Sequence, residues 1–394
     1  MKKKFLPLAL GGLAIGTTEF VMMGILPDIA NEFKISIPQA GHMISAYALG
    51  VVIGAPLLVV LTRNMAPKKI LFALMLLFTV FNTLSSFAPN DTILFLARLF
   101  SGLPHGAFFG VGAVVASRLA DKGKQAQAIS MMFAGLTLAN LLTVPLGTWV
   151  GHTYSWRYAF AAVGLIGLGT MVSIYFLLPS LPVTRSGNMK SELSVFARIE
   201  PWLIFLITSI GTGGLFCWIS YIAPLMTEVS HFSAATVPYI MVIAGLGMVV
   251  GNVIGGKLSD RLQPLNACIV LLVAMSLTLL IIYFVSWQPV LSLIMTFVAG
   301  SFALAIASPI QLLMIQASKG AEMLGASITQ AAFNMGNALG AFLGGLPIAA
   351  GFGYTSPSLV GMGMALTGVV FAWMLMVLSR KEKQGLTSGI PIAN

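Results

Sequence analysis

Long apolar runs recur along the whole chain, broken only by short polar stretches. A helix needs about 20 residues to cross a hydrocarbon layer of roughly 30 Å. Each run is that long or longer, and they fall at 5–27, 38–61, 69–88, 91–117, 125–150, 157–179, 201–227, 235–258, 265–286, 289–315, 322–349 and 356–379. In lipid, every backbone N–H and C=O needs a partner inside the protein, so an unclosed strand is excluded and each run reads as a helix. The chain is therefore expected to be an all-α membrane protein with twelve crossings. Only 8% of its residues are charged and 58% are hydrophobic, whereas soluble domains carry about 25% charged residues. So few charges could not cover a water-facing surface.

The basic residues set the orientation. With the N-terminus placed in the cytoplasm, the cytoplasmic segments hold Lys2, Lys3 and Lys4; Arg63, Lys68 and Lys69; Arg118, Lys122 and Lys124; Arg185, Lys190 and Arg198; Lys257 and Arg261; Lys319; and Arg380, Lys381 and Lys383. The outer loops hold Lys34 and Arg157, and Arg98 lies inside a helix. This asymmetry places both termini on the cytoplasmic side; the membrane is expected to be a bacterial inner membrane, with the bilayer as the chain's main partner. It also accounts for the net charge of +10 without nucleic acid, since the cations are not gathered in a soluble patch. The basic start and first apolar run resemble a secretory signal, but the run is too long, so it is read as a retained first span.

The longest polar stretch separates two groups of six spans. The chain is divided into a first bundle at 1–180, a cytoplasmic linker at 181–200, and a second bundle with a short cytoplasmic tail at 201–394. The halves look related. Span 2 carries Gly50-Val51-Val52-Ile53-Gly54 and ends near Arg63; span 8 carries Gly247-Met248-Val249-Val250-Gly251 and ends near Arg261. A duplicated six-helix unit predicts such a repeat, although paired glycines also occur wherever membrane helices pack closely.

Gly251 to Lys257 mimics a phosphate-binding loop, but Leu258 stands where a magnesium-binding Ser or Thr belongs and the segment leaves a membrane helix. No nucleotide and no other cofactor is expected. Cys217 and Cys268 lie inside apolar runs and form no CxxC pair, so neither a disulfide nor a metal site is expected.

Other strings carry a family likeness. Gly256-Lys257-Leu258-Ser259-Asp260-Arg261 resembles the G-x-L-x-D-R loop of the major facilitator superfamily, with Thr62-Arg63 as a degraded first copy. Glu19-Phe20-Val21-Met22-Met23-Gly24-Ile25-Leu26-Pro27 and the run Gly102-Leu103-Pro104-His105-Gly106-Ala107-Phe108-Phe109-Gly110 are similar to the sugar-efflux and arabinose-efflux permeases of its drug:proton antiporter branch. Asn140 to Gly147 resembles the antiporter motif of helix 5, Ser155-Trp156-Arg157-Tyr158-Ala159-Phe160 the opening of helix 6, and Asn334, Gly336, Asn337 and Gly340 the pattern of helix 11. The likeness spans about residues 5–380. It implies two pseudo-symmetric six-helix bundles, a central cavity lined by helices 1, 4, 7 and 10, and proton-coupled efflux of a sugar or drug-like molecule by alternating access. Downhill uniport or uptake of a small neutral solute is the alternative. The resemblance also implies gating roles for Asp260, Arg261 and the degraded partner Arg63.

Ionisable groups at membrane depth are costly and so are functional candidates. Glu19 in span 1 and Arg98 in span 4 both sit roughly 10–12 Å below the outer surface at 1.5 Å per residue. Equal depth allows an ion pair, in which Glu19 either exchanges a proton under the influence of Arg98 or forms a static tie. His105 lies about two turns deeper and either carries the proton or packs beside Pro104 and Gly106. The expected substrate pocket adds Phe20, Met23 and Asn140 in the first half. In the second half it takes Trp218, Tyr221, Gln311, Gln330 and Asn334, all uncharged. Asp28, Glu32 and Glu228 are expected to be solvated at the outer surface. The four histidines are scattered and form no metal motif, and no soluble output domain exists, so neither an enzyme nor a receptor is expected. The expected partners are a small-molecule substrate and protons, with no obligate protein.

Overall fold

Helix starts follow local chemistry. The Asn90 side chain accepts from the Ile93 N–H and the Ser155 hydroxyl from the Arg157 N–H, each capping an orphan donor. Prolines at 67, 264 and 289 open three other helices, where the missing N–H costs nothing. The computed structural model describes residues 3–35, 37–183, 194–233 and 236–388. In chain order α1 is Lys3–Gly24, α2 Ile37–Thr62, α3 Pro67–Ser86, α4 Asp91–Leu119, α5 Gln125–Thr153 and α6 Trp156–Leu177. The second half has α7 at Ile199–Ile219, α8 at Val237–Leu262, α9 at Pro264–Val285, α10 at Pro289–Ala317, α11 at Glu322–Ala349 and α12 at Ser356–Ser388. A short helix, Leu26–Phe33, follows α1. No strand occurs among the described residues, and half of the expected linker, residues 184–193, lies outside them.

Eleven of these helices are long and apolar enough to cross a membrane. The exception is α11, whose apolar run is diluted by Ser327, Thr329, Gln330, Asn334, Asn337 and several glycines. There the polar groups Ser327, Thr329 and Gln330 are buried among neighbouring helices, while the apolar Met335, Phe342 and Leu346 are exposed. The helix packs on α7 and α12 in its own half and on α2 and α4 in the other.

The repeat holds in three dimensions. A Cβ at Gly50 or Gly54 would lie 2.1 Å from the carbonyl oxygens of Leu99 and Leu103, and one at Gly247 or Gly251 would lie 2.1 or 1.8 Å from those of Phe297 and Ser301. The same glycine pair thus brings α2 onto α4 and α8 onto α10. In both halves the first helix packs on the fifth and the third on the sixth. The result is two pseudo-symmetric six-helix bundles.

Three helices expected to be continuous are broken. In α5 the turn widens over Ala139–Thr143, just before Pro145, which cannot donate to the preceding turn. In α10 the helix is interrupted at Ile306, ahead of Pro309. In α7 it widens over Ile207–Gly211, where Thr208 and Thr212 hydroxyls bond carbonyls four residues back, a habit that bends helices. Beyond Ile219 the expected span continues only as Ile222–Pro224 and a second wide turn at Leu225–Val229.

The halves join at one end. We call the end that carries Lys4, Arg63, Arg118, Lys257, Arg261 and Lys319 the basic end. There a buried apolar cluster centred on α1, α3, α4 and α5 takes in Leu304, Ala307, Leu312, Ile315, Ala321 and Leu324 from the second half. At the far end, the cluster around Val21, Met22, Ile25, Leu94, Trp156 and Phe160 is built from the first half alone.

Candidate functional site

Arg98 is fully buried in the first bundle. One nitrogen donates to the Thr18 hydroxyl at 2.7 Å and another to the Thr18 carbonyl at 3.1 Å. Its guanidinium lies over the Tyr47 ring, 4.4 Å from the centroid, and near the Phe160 ring at 5.3 Å. Thr18 in turn donates to the Asn82 amide oxygen, and the Asn82 nitrogen bonds the Phe78 carbonyl at 2.9 Å. A cation at membrane depth is thus held by hydroxyl, carbonyl and aromatic faces.

The expected Glu19–Arg98 ion pair is absent among the described residues. Both are at the same depth, but successive helical residues point about 100° apart. Thr18 faces α3 and α4, which turns Glu19 aside. Glu19 is half-buried and within electrostatic reach of Arg98 and Tyr47, without touching either as an ion pair.

His105 sits two turns along α4, buried. Its Nδ1 is 3.1 Å from the Tyr47 hydroxyl, and its ring packs on Phe109 at 5.3 Å. Next to it, a Cβ on Gly106 would be 3.4 Å from that of Gln330. Gln330 donates to the Gln311 side chain at 2.8 Å, and Gln311 donates to the Ala326 carbonyl at 2.8 Å. The structure therefore brings His105, Gln311 and Gln330 to one place at the seam.

The rest of the expected pocket is only partly assembled. Trp218 lies in the apolar core of the second bundle, with its indole N–H buried and unpartnered, so its placement as an open pocket wall is corrected. Arg98, likewise, is core rather than wall. Tyr221 donates to the Ala341 carbonyl at 2.7 Å. Asn140 and Asn334 donate to carbonyls of their own helices, Leu136 at 3.1 Å and Gln330 at 3.0 Å. Phe20 is half-buried, while Met23 is 52% exposed. A separate cavity of about 200 Å³ opens at the basic end of the second bundle, lined by Arg198, Glu200, Gln316 and Ser379 with Leu313 and Leu375. It contains none of the expected substrate residues.

Of the residues expected to gate, Asp260 makes a contact between the two halves. The Asp260 carboxylate accepts from the Ala126 and Gln127 N–H groups at 3.0 Å each. It thereby caps α5 across the two halves, an anion at the positive end of a helix. Asn252, about two turns earlier on α8, donates to the Ser130 carbonyl at 2.8 Å. In the degraded copy, the Thr62 hydroxyl bonds the Leu58 carbonyl of its own helix at 2.6 Å, and α11 has no side-chain cap. Arg63 is half-buried and Arg261 is exposed. The latch is one-sided.

Sequence reasoning passed over Tyr47, Thr18, Asn82, Asn252 and Ser130, although a polar residue inside an apolar span is itself a signal. It also took Asp28 and Glu32 for solvated groups. Glu32 accepts from the Trp156 indole and from Arg157, and Arg157 also donates to the Ala88 carbonyl at 2.7 Å. Asp28 contacts His152 at 2.7 Å. These contacts clamp the short helix onto the α5–α6 corner.

The profile of the Major Facilitator Superfamily matches residues 8–329. The chain belongs to the major facilitator superfamily. It is 40% identical to AraJ of Escherichia coli (strain K12), over 98% of this chain and 97% of that one. It is also 40% identical to YdhP, an inner membrane transport protein of the same organism, over 94% and 95%. Among solved structures, the proton:xylose symporter XylE superposes with a TM-score of 0.75 at 16% identity, covering 94% of this chain and 95% of that one. That likeness shows the fold. As a superfamily member, the chain is a multi-pass membrane transporter.

Proposed function

We propose that the chain is a proton-coupled exporter of a small molecule, a sugar or a drug-like compound, in a bacterial inner membrane with both termini cytoplasmic. It works by alternating access between bundles 1–180 and 201–394, joined by the linker 181–200. The observation that carries this reading is the division of polar groups at membrane depth. The first bundle holds the ionisable set, Glu19, Arg98 and His105. The second offers the amides Gln311, Gln330 and Asn334 and the Tyr221 hydroxyl, with no charge among them. Proton exchange then belongs to one half, and a neutral hydrogen-bonding surface to the other. The name of YdhP as an inner membrane protein supports the location, and the proton and sugar in the name of XylE support the class of cargo. With no nucleotide motif, the gradient supplies the energy.

The state described is closed at the basic end by Asp260, Asn252 and the shared apolar cluster. In the proposed orientation this is the cytoplasmic gate. The test is transport in proteoliposomes under an imposed pH gradient, against arabinose, xylose and lipophilic cations. Uphill movement of one compound, abolished by Glu19→Gln or His105→Asn, supports the reading. Equal movement with and without the gradient points to uniport instead.

A further inference from the structure

Arg98, Gly102 and His105 are spaced to line one face of α4. The backbone of Tyr47 on α2 is pressed into the gap left by Gly102, where a Cβ would lie 2.2 Å from the Tyr47 carbonyl oxygen. From that seat the Tyr47 ring lies against the Arg98 guanidinium, 4.4 Å from centroid to carbon. Its hydroxyl reaches His105 Nδ1 at 3.1 Å. Tyr47 is 3% exposed, and its hydroxyl has no other hydrogen-bond partner among the described residues. A buried hydroxyl that only accepted from His105 would leave its own proton without an acceptor. The proton therefore lies on the tyrosine oxygen and points at Nδ1, which leaves the imidazole proton on Nε2.

We propose that Tyr47 is the positioning residue that joins His105 to Arg98, fixing the His105 tautomer through its hydroxyl and sensing the guanidinium through its ring. This deepens the reading of His105 and Arg98 as proton-coupling groups and rests on it. The other charged or titratable group close to Tyr47 is Glu19 on α1. α3 contributes the Asn82 amide by way of Thr18, and α11 sets the Gln330 amide against Gly106. The fixed charge of Arg98, and a charge that appears or leaves on Glu19, therefore reach His105 through one rigid aromatic side chain.

The test is 15N-histidine NMR on the full-length protein in lipid nanodiscs, with His105→Gln used to assign the His105 signals among the four histidines. The wild type is expected to show one neutral tautomer, protonated at Nε2. Tyr47→Phe keeps the ring and the volume, so Arg98 stays stacked, but the two tautomers should mix. Arg98→Gln should move the His105 titration midpoint by roughly half a pH unit or more when Tyr47 is present, the scale of one hydrogen bond. It should move it by less than half that amount in Tyr47→Leu. An unchanged tautomer in Tyr47→Phe, or an Arg98→Gln effect of equal size with and without the tyrosine, would overturn the proposal. If Tyr47→Leu does not fold, the Tyr47→Phe spectrum decides alone. No substrate or gradient enters these spectra, so a failed transport assay would sink the exporter reading and leave the tautomer result standing.

Discussion

Gly110 of α4 and Ser327 of α11 meet with no room for a side chain between them. A Cβ at Gly110 would lie 2.0 Å from the Ser327 hydroxyl and 2.6 Å from its backbone nitrogen. The contact joins the two halves, so opening of the basic end is expected to break it. Gly110→Ala should oppose closure without touching Arg98, His105 or Tyr47. Spin labels at Lys69 and Lys319, both exposed, should then show a longer distance population by double electron–electron resonance. An unaltered distribution would mean that the seam yields by local shifts.

The Asp260 cap makes a second prediction. Asp260→Asn keeps the shape but removes the charge and one of the two acceptor oxygens. Loss of a charged cap costs about 1–2 kcal/mol, which favours the opened seam by roughly 5–30-fold. A cysteine at Ser130, buried beneath that cap, should alkylate correspondingly faster in Asp260→Asn than in the parent. Asn252→Ala should add to the effect, because its amide donates at the same seam. Thr62→Ala, in the degraded copy, should leave the rate unchanged.

The Arg98 site predicts a separation of stability from coupling. Thr18→Val removes the hydroxyl that joins Arg98 to Asn82 and leaves a buried cation short of one acceptor. That should cost about 1–3 kcal/mol and lower the unfolding temperature in detergent. Glu19→Gln should barely move that temperature, since no ion pair is lost. The Glu19→Gln/Arg98→Ala double variant should show coupling well below the about 3–5 kcal/mol of a broken buried pair. A large rescue of Arg98→Ala by Glu19→Gln would show that the two side chains pair after all.

At the far end, Glu32 holds both Trp156 and Arg157. Glu32→Ala should release the short helix Leu26–Phe33 from the α5–α6 corner. Limited proteolysis between Phe33 and Ser36 should speed up, while alkylation at a cysteine replacing Ser130 stays slow. Faster reaction at both places would mean that the clamp also steadies the basic end.

Depth was readable from the chain, and direction around the helix was not. Counting residues from the loops put Glu19 and Arg98 at one level, and the structure agrees. It took the neighbouring helices to show that Thr18, not Glu19, faces the arginine. The same limit applies to Trp218: span 7 was legible as a helix, but its wide turns rotate everything beyond them, and the indole ends in the core. Asp260 stood out because the motif marks it, and the structure puts it in the last turn of α8, where its carboxylate meets the start of α5. The breaks at Ala139–Thr143 and Ile306 carried a local signal in Pro145 and Pro309. Proline's effect on the preceding turn could have been applied there. Gln311 and Gln330 were found as polar residues in apolar spans. Their bond to each other was not, because it depends on how α10 crosses α11.

The apolar cluster that straddles the seam has a thermal consequence. If the basic end opens, Leu304, Ala307, Leu312, Ile315 and Leu324 lose their partners in the first half and meet water. Exposing such surface raises the heat capacity, and the penalty for it weakens on cooling. The balance between forms closed and open at the basic end should therefore follow a curved van't Hoff plot, with chilled samples richer in the open form.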